Sequence, residues 1–211
     1  MTHFGVSTVN QTGTKTMKRL LLATGLTLLA SPAFAHLPPG DYGSLAAGFS
    51  HPLFGLDHIL AMVAVGLWAF LLGGRALWMV PSAFVVAMLA GFALAMVHVP
   101  LPMVEPMILA STIVLGLIVA VALRLDTAVC AAIVGVFALF HGYAHGGELG
   151  NAGALRFAVG FAVATALLHA AGSGLGILVG RFGKSSGSGD ILSRGLGALT
   201  AAAGVALVLG Q

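Results

Sequence analysis

The sequence predicts an all-α integral membrane protein with six transmembrane helices behind a cleavable N-terminal signal peptide. Hydrophobic residues fill 59% of the 211 positions and charged residues only 7%, whereas a soluble domain typically carries about 25% charged residues. So little charge cannot cover a water-exposed surface, and the mean hydropathy of +1.06 indicates that lipid is the main solvent. Six apolar stretches also approach the roughly 20 residues that a membrane-spanning helix needs.

The N-terminal residues have the form of a secretory signal. A basic segment at 17–19 precedes an apolar stretch at 20–30 that is too short to span a bilayer, and an A-x-A cleavage site follows at 33–35. We expect cleavage after Ala35, so that residues 1–35 are an extension and signal peptide and residues 36–211 form one six-helix transmembrane domain. His36 would then be the first mature residue, with an α-amine and an imidazole as nitrogen donors.

Short separators rich in glycine, proline and charge divide the mature chain into its predicted spans. These are residues 53–72, 76–97, 103–123, 127–143, 155–179 and 191–209. Cleavage of a signal peptide would leave the mature N-terminus outside the membrane, so alternate loops are predicted to lie in the cytoplasm.

The basic residues independently favour the same orientation. The outer side holds only Arg156, whereas the predicted cytoplasmic side holds Arg75, Arg124, Arg181, Lys184 and Arg194. An excess of Lys and Arg on the cytoplasmic side is typical of inner-membrane proteins. The formal charge of +3 is dispersed among apolar runs and forms no basic patch, so we expect no nucleic-acid partner.

Side chains that could bind metals gather at the predicted outer ends of the helices. They are His51, Asp57, His58, His98, Glu105, His141, His145 and Glu148. An ionisable group inside a membrane span costs at least about 2.5 kcal/mol when central, so such groups tend to mark function. Imidazole and carboxylate together suit divalent transition metals such as Ni²⁺, Co²⁺, Zn²⁺ and Fe²⁺.

Helical geometry refines the positions of these residues. His141, His145 and Glu148 fall within about 60° of one another on a helix. His51 directly precedes Pro52, a favoured first helical residue, so His51 is expected in a loop or at a helix start. His169 lies near the middle of its span, where we expect a hydrogen bond that packs two helices together.

Two segments resemble the signatures of a known family. HPLFGLDHILAMVAVGLWA at 51–69 and FHGYAHGGEL at 140–149 are similar to the conserved motifs of the HupE/UreJ family, and LPMVEPMILAS at 101–111 resembles its third conserved stretch. The resemblance implies uptake of Ni²⁺, or of Co²⁺, across the inner membrane to supply hydrogenase or urease. The metal residues implied by matching positions are His51, Asp57, His58, Glu105, His141, His145 and Glu148.

The sequence therefore favours a permease for a divalent cation over an enzyme, with the metal as transported substrate and no resident cofactor. The alternatives are a membrane metalloenzyme, and a non-transporting metal sensor or donor at the periplasmic face. The chain lacks the HEXXH and CxxCH patterns of two enzyme classes and a G-x4-G-K-[ST] loop for ATP. Its partners would be the lipid bilayer and the metal ion, with a homo-oligomer or a metallochaperone left open.

Overall fold

A computed structural model describes residues 44–146, 153–184 and 189–210. The signal peptide, its cleavage site, His36 and Glu148 lie outside the described residues. Within these ranges the chain forms seven α-helices and no β-strand. The helices are α1 (Leu45–Phe54), α2 (Leu56–Leu72), α3 (Ala76–Met96), α4 (Val104–Ala120), α5 (Thr127–Gly146), α6 (Ala154–Lys184) and α7 (Gly189–Leu209).

The first predicted span is two helices and not one. The α1 and α2 helices meet at an angle of 86°, and Gly55 joins them in an extended conformation. The Ser44 hydroxyl accepts a hydrogen bond from the Ala47 amide at 2.9 Å, so a helix begins before Pro52. The placement of His51 in a loop or at a helix start is therefore wrong, because His51 lies in the last turn of α1.

The other helices agree with a membrane-spanning bundle. Four of the described helices, α3, α5, α6 and α7, are long and apolar enough to cross a bilayer, and the bent α1–α2 pair makes a fifth candidate if the two helices form one span. The α4 helix is apolar but has 17 residues, which is the lower end of the range that can span a hydrocarbon core. The prediction of an all-helical, multi-pass membrane protein is confirmed.

The surface of the bundle is apolar, as lipid contact requires. Large hydrophobic side chains point outwards, with exposed fractions of 60% for Trp78, 79% for Leu155 and 68% for Leu199. In water such a surface would aggregate, whereas in hydrocarbon it is the favourable one. Several polar side chains of the described helices are instead buried, among them Ser111, Thr112, Thr165 and Ser193, where neighbouring helices must satisfy them.

Helix pairing brings the motif-bearing helix ends to one end of the bundle. The α3 helix packs along α5, α4 packs along α7, and α6 packs against both α1 and α2. At the opposite end, the Trp68 indole donates a hydrogen bond to the Leu123 carbonyl at 2.8 Å. Arg194 donates to the Ala120 carbonyl there, also at 2.8 Å. These contacts tie together the loops predicted to face the cytoplasm.

Gly142 sets the close approach of α5 to α3. A Cβ atom at this position would overlap the Met88 carbonyl oxygen and lie 2.6 Å from the Met88 carbonyl carbon. Backbone atoms inside a helix cannot move aside as a flexible side chain can. The absence of a side chain at Gly142 therefore allows the helix segment that carries His141 and His145 to lie against α3.

We predict that Gly142→Ala lowers the thermal stability of the detergent-solubilised protein. Overpacking of this kind costs about 1–3 kcal/mol, which exceeds the gain of up to about 1 kcal/mol from replacing a helical glycine with alanine. Gly135→Ala on the same helix is the matched control, because its Cβ would meet only the Ala87 Cβ at 3.7 Å. Thermal unfolding followed by size-exclusion chromatography measures both variants, and equal melting temperatures would refute the role of Gly142.

Candidate functional site

Four histidine side chains from three helices meet at one end of the bundle. We call them the histidine cluster: His51 on α1, His58 on α2, and His141 and His145 on α5. Ring centroids lie 4.2 Å apart for His51 and His145, 4.9 Å for His58 and His145, and 5.1 Å for His58 and His141. Residues separated by almost ninety sequence positions in the two motifs are therefore direct neighbours.

A chain of hydrogen bonds runs through the centre of this cluster. The Nδ1 atom of His58 lies 3.0 Å from an Asp57 carboxylate oxygen, and its Nε2 atom lies 2.8 Å from Nε2 of His145. Since a carboxylate can only accept, His58 donates its Nδ1 proton to Asp57. With His58 neutral, its Nε2 atom then accepts the Nε2 proton of His145. This assignment leaves a lone pair on Nδ1 of His145, which has no hydrogen-bond partner among the described residues.

His141 presents a second unpartnered lone pair. Its Nδ1 atom lies 3.0 Å from the Phe137 carbonyl oxygen, one helical turn earlier on α5, and therefore donates its proton there. The Nε2 atom must then carry the lone pair in the neutral ring, and it has no hydrogen-bond partner although the side chain is fully buried. The carbonyl fixes the tautomer in the same way that outer partners orient metal-binding histidines.

Gly55 leaves space for Asp57, the residue at which the chain of hydrogen bonds begins. A Cβ atom here would lie 2.8 Å from both the Asp57 carboxylate and the His58 Nδ1 atom. The hydroxyl of Thr112 on α4 donates to the backbone carbonyl of Asp57 at 3.3 Å, which fixes the start of α2 against α4. The break between α1 and α2 thus holds Asp57 and His58 in place.

Aromatic rings of α6 close one side of the histidine cluster. Phe161 lies edge-on to His145 with centroids 5.0 Å apart, and Phe157 lies 5.6 Å from His51. Both phenylalanines are buried. Apolar walls of this kind exclude water and strengthen the electrostatic interaction between Asp57 and any cation in the cluster.

Of the two remaining predicted site residues, the structure describes only Glu105. Glu105 is exposed in the first turn of α4, so it is at the surface and not in the buried cluster. His98, to which the motifs assigned no role, is also exposed and has a positive φ of 57°. Glu148 follows α5 and lies outside the described residues. Sequence reasoning missed Gly55, Thr112 and Phe137, although Gly55 lies within the first motif.

The cluster is polar but has no completed coordination geometry. Among the residues that the structure describes, no three His, Cys, Asp or Glu side chains are arranged to hold a metal ion. The unpartnered nitrogens of His141 and His145 are nevertheless costly, because each buried polar group without a hydrogen bond costs about 1–3 kcal/mol. Two unsatisfied nitrogens one helical turn apart are unusual in a core that serves only for packing, and they indicate a binding site.

Comparison with known proteins supports the family resemblance of the two motifs. The profile of the HupE / UreJ protein family matches residues 24–207. The chain belongs to the HupE/UreJ family. "Protein HupE" from Rhizobium leguminosarum bv. viciae is 47% identical over 197 residues, which cover 92% of this chain and 100% of that relative. No solved structure matches the chain. The arrangement of the histidine cluster in this HupE/UreJ member is therefore described from its own structure alone.

We predict that Gly55→Ala weakens metal binding by about tenfold or more without unfolding the bundle, because outer supports of metal ligands typically contribute about 10–100-fold. The added methyl group would displace the Asp57 carboxylate and the His58 ring. Gly195→Ala on α7 is the control, since its Cβ would have nothing within 4 Å. Calorimetric titration of the purified protein with Co²⁺ measures both affinities. If Gly55→Ala binds Co²⁺ as tightly as the control, this positioning role is excluded.

Proposed function

We propose that this HupE/UreJ member is a permease that takes up a divalent transition metal, Ni²⁺ or alternatively Co²⁺, across the inner membrane to supply hydrogenase or urease maturation. The observation that carries the proposal is the buried histidine cluster with unpartnered nitrogens on His141 and His145 beside the Asp57 carboxylate. Neutral imidazole nitrogens bind borderline divalent metals, and a carboxylate offsets part of the ion's charge in a medium of low dielectric constant.

Little movement would convert the cluster into a metal site. Two nitrogen ligands about 2.0–2.1 Å from a tetrahedral metal lie about 3.3 Å apart. The Nε2 atoms of His58 and His145 lie 2.8 Å apart, so they would separate by a fraction of an ångström as the ion replaces their hydrogen bond. The His145 proton would move to the unpartnered Nδ1 atom, which frees Nε2 to bind the ion. His51 and His141 adjoin this pair and would complete the nitrogen ligands. Asp57 would remain the outer partner that orients His58.

The two glutamates are assigned to the approach of the ion. Glu105 is exposed on α4, whose Thr112 contacts Asp57 two turns further along the helix. We assign Glu105 to the outer mouth, where it would attract a hydrated cation. Glu148 follows His145 by three residues in the second motif, and we assign it to the site itself.

The proposed topology has six spans in the inner membrane and a periplasmic mature N-terminus at His36. The bent α1–α2 pair is the first span and the short α4 helix the third. Signal cleavage and the cytoplasmic excess of arginine and lysine support this orientation. A membrane potential contributes about 2.3 kcal/mol per charge per 100 mV, so a divalent cation would be drawn inward without ATP.

We predict that the loop preceding α7 is cytoplasmic and the loop between α5 and α6 is periplasmic. Alkaline phosphatase folds to its active form only outside the cytoplasm. A fusion after Asp190 should therefore be inactive, whereas a fusion after Gly150 should be active. Normalising enzyme activity to the amount of fusion protein makes the comparison quantitative, and the reverse pattern would overturn the proposed sidedness.

We predict that Asp57→Asn, His58→Ala, His145→Ala and Glu148→Gln each reduce accumulation of radioactive nickel in cells by about tenfold or more, because each removes a ligand or its orienting partner. His98→Ala is the control, since His98 is exposed and outside the cluster. Immunoblots of membrane fractions check that the variants are present at the wild-type level.

The same assay separates the permease from its alternatives. A metalloenzyme, or a metal sensor or donor at the periplasmic face, would bind the ion without increasing its accumulation inside the cell. Equal accumulation with and without the wild-type protein would therefore reject transport. Loss of protein in place of loss of transport in the four variants would indicate that the cluster serves only to hold the helices together.

A further inference from the structure

His169 is a buried side chain without a hydrogen-bond partner in the part of the chain that the structure describes. It lies in the middle of α6 and is 1% exposed. Neither Nδ1 nor Nε2 has a hydrogen-bond partner, so the expectation of a hydrogen bond that packs two helices is wrong. A leucine of similar size would fill this space without leaving two polar atoms unsatisfied. Packing alone does not account for a histidine here.

A single aromatic ring connects His169 with the histidine cluster. Phe84 on α3 is fully buried and lies 4.9 Å from His169 and 5.7 Å from His141 between ring centroids. His141 is the cluster member whose Nε2 atom is unpartnered. The side chains of His141, Phe84 and His169 therefore form a continuous contact path from the cluster to the middle of the bundle.

A groove of about 570 Å³ begins at His169. It lies between α3 and α6, where Ser82 and Ser173 line it together with apolar side chains. A Cβ atom at Gly174, which also lines the groove, would have nothing within 4 Å. The groove reaches Leu77 in the first turn of α3. It extends from His169 towards the end of the bundle predicted to be cytoplasmic, and its exposed lining residues Leu77, Val86 and Ile177 open it to the apolar outer surface of the bundle.

We infer that His169 is a second, inner binding station for a divalent transition-metal cation, which reaches it from His141 past Phe84. The inference rests on the proposed transport function and assigns the step after the outer cluster. In the neutral form one nitrogen of His169 carries a lone pair, the donor that such cations accept from proteins. The hydroxyls of Ser82 and Ser173 line the same groove and would supply weak oxygen ligands, and the Ser173 hydroxyl donates its own proton to the Gly66 carbonyl at 3.0 Å.

The chemistry of the two stations sets how strongly each holds the ion, whereas the membrane potential sets the direction of transport. The outer cluster offers several imidazoles and the Asp57 carboxylate, whereas His169 offers one imidazole without a neighbouring acid among the groove residues. A weaker inner site releases its ion readily, and conduction requires binding that is weak enough to allow departure. The phenyl ring of Phe84 separates the two stations, so that both need not be occupied at once.

A transport experiment separates the inner station from a packing role. Purified protein is reconstituted in liposomes, a negative-inside potential is imposed, and initial uptake of radioactive Ni²⁺ is measured against external concentration. His169→Leu should lower the maximal rate by about tenfold or more and change the half-saturating concentration by less than about twofold, because the outer cluster is intact. A packing role predicts wild-type rates for His169→Leu, and that result would overturn the inference.

A binding experiment tests the station without transport. The visible ligand-field spectrum of Co²⁺ is recorded on detergent-solubilised His58→Ala/His145→Ala protein, in which the outer cluster is disabled. We expect residual saturable Co²⁺ binding that disappears when His169→Leu is added. Identical spectra with and without His169→Leu would reject the station even if wild-type protein transports nickel. If wild-type liposomes take up no nickel but the residual site is present, the transport proposal fails while the metal site stands.

Discussion

The 2.8 Å contact between His58 and His145 joins the two motif helices inside a bundle that has lipid outside it. Each ring is buried, and neither can turn to solvent for a hydrogen bond. The Asp57 carboxylate fixes the proton on one face of His58, which sets the polarity of the whole chain of hydrogen bonds. The orientation of α2 relative to α5, and the unpartnered nitrogens around it, follow from this arrangement.

Close backbone packing makes that contact geometrically possible. Gly55 leaves space beside Asp57 and His58, and Gly142 brings α5 against α3 within the turn that carries both of its histidines. Glycine inside a helix normally sacrifices stability. In a membrane the loss is offset because association depends on van der Waals contact between close helices more than on the hydrophobic effect. The same residues thus support the bundle and position the polar site.

The polar groups of the bundle are unevenly distributed along its axis. Four histidines and a carboxylate lie at one end, and His169 lies in the middle. The outer surface of the described helices is mostly apolar. Charge in a low-dielectric interior is stabilised only where opposite charge or ligands are near. A cation would therefore be held most strongly at the cluster and less strongly further along, with Phe84 in contact with both regions.

The sequence alone determined the all-helical membrane class, because low charge and long apolar runs leave no alternative solvent, and its two motifs identified the family. Helical periodicity also indicated that His141 and His145 share one face of α5. The tertiary structure decided which helices meet: it brought His51 into α1, moved Glu105 to the surface and left His169 without a hydrogen bond. Periodicity describes the faces of one helix, whereas a bend such as that at Gly55, and the contacts across helices, depend on packing that no local pattern encodes.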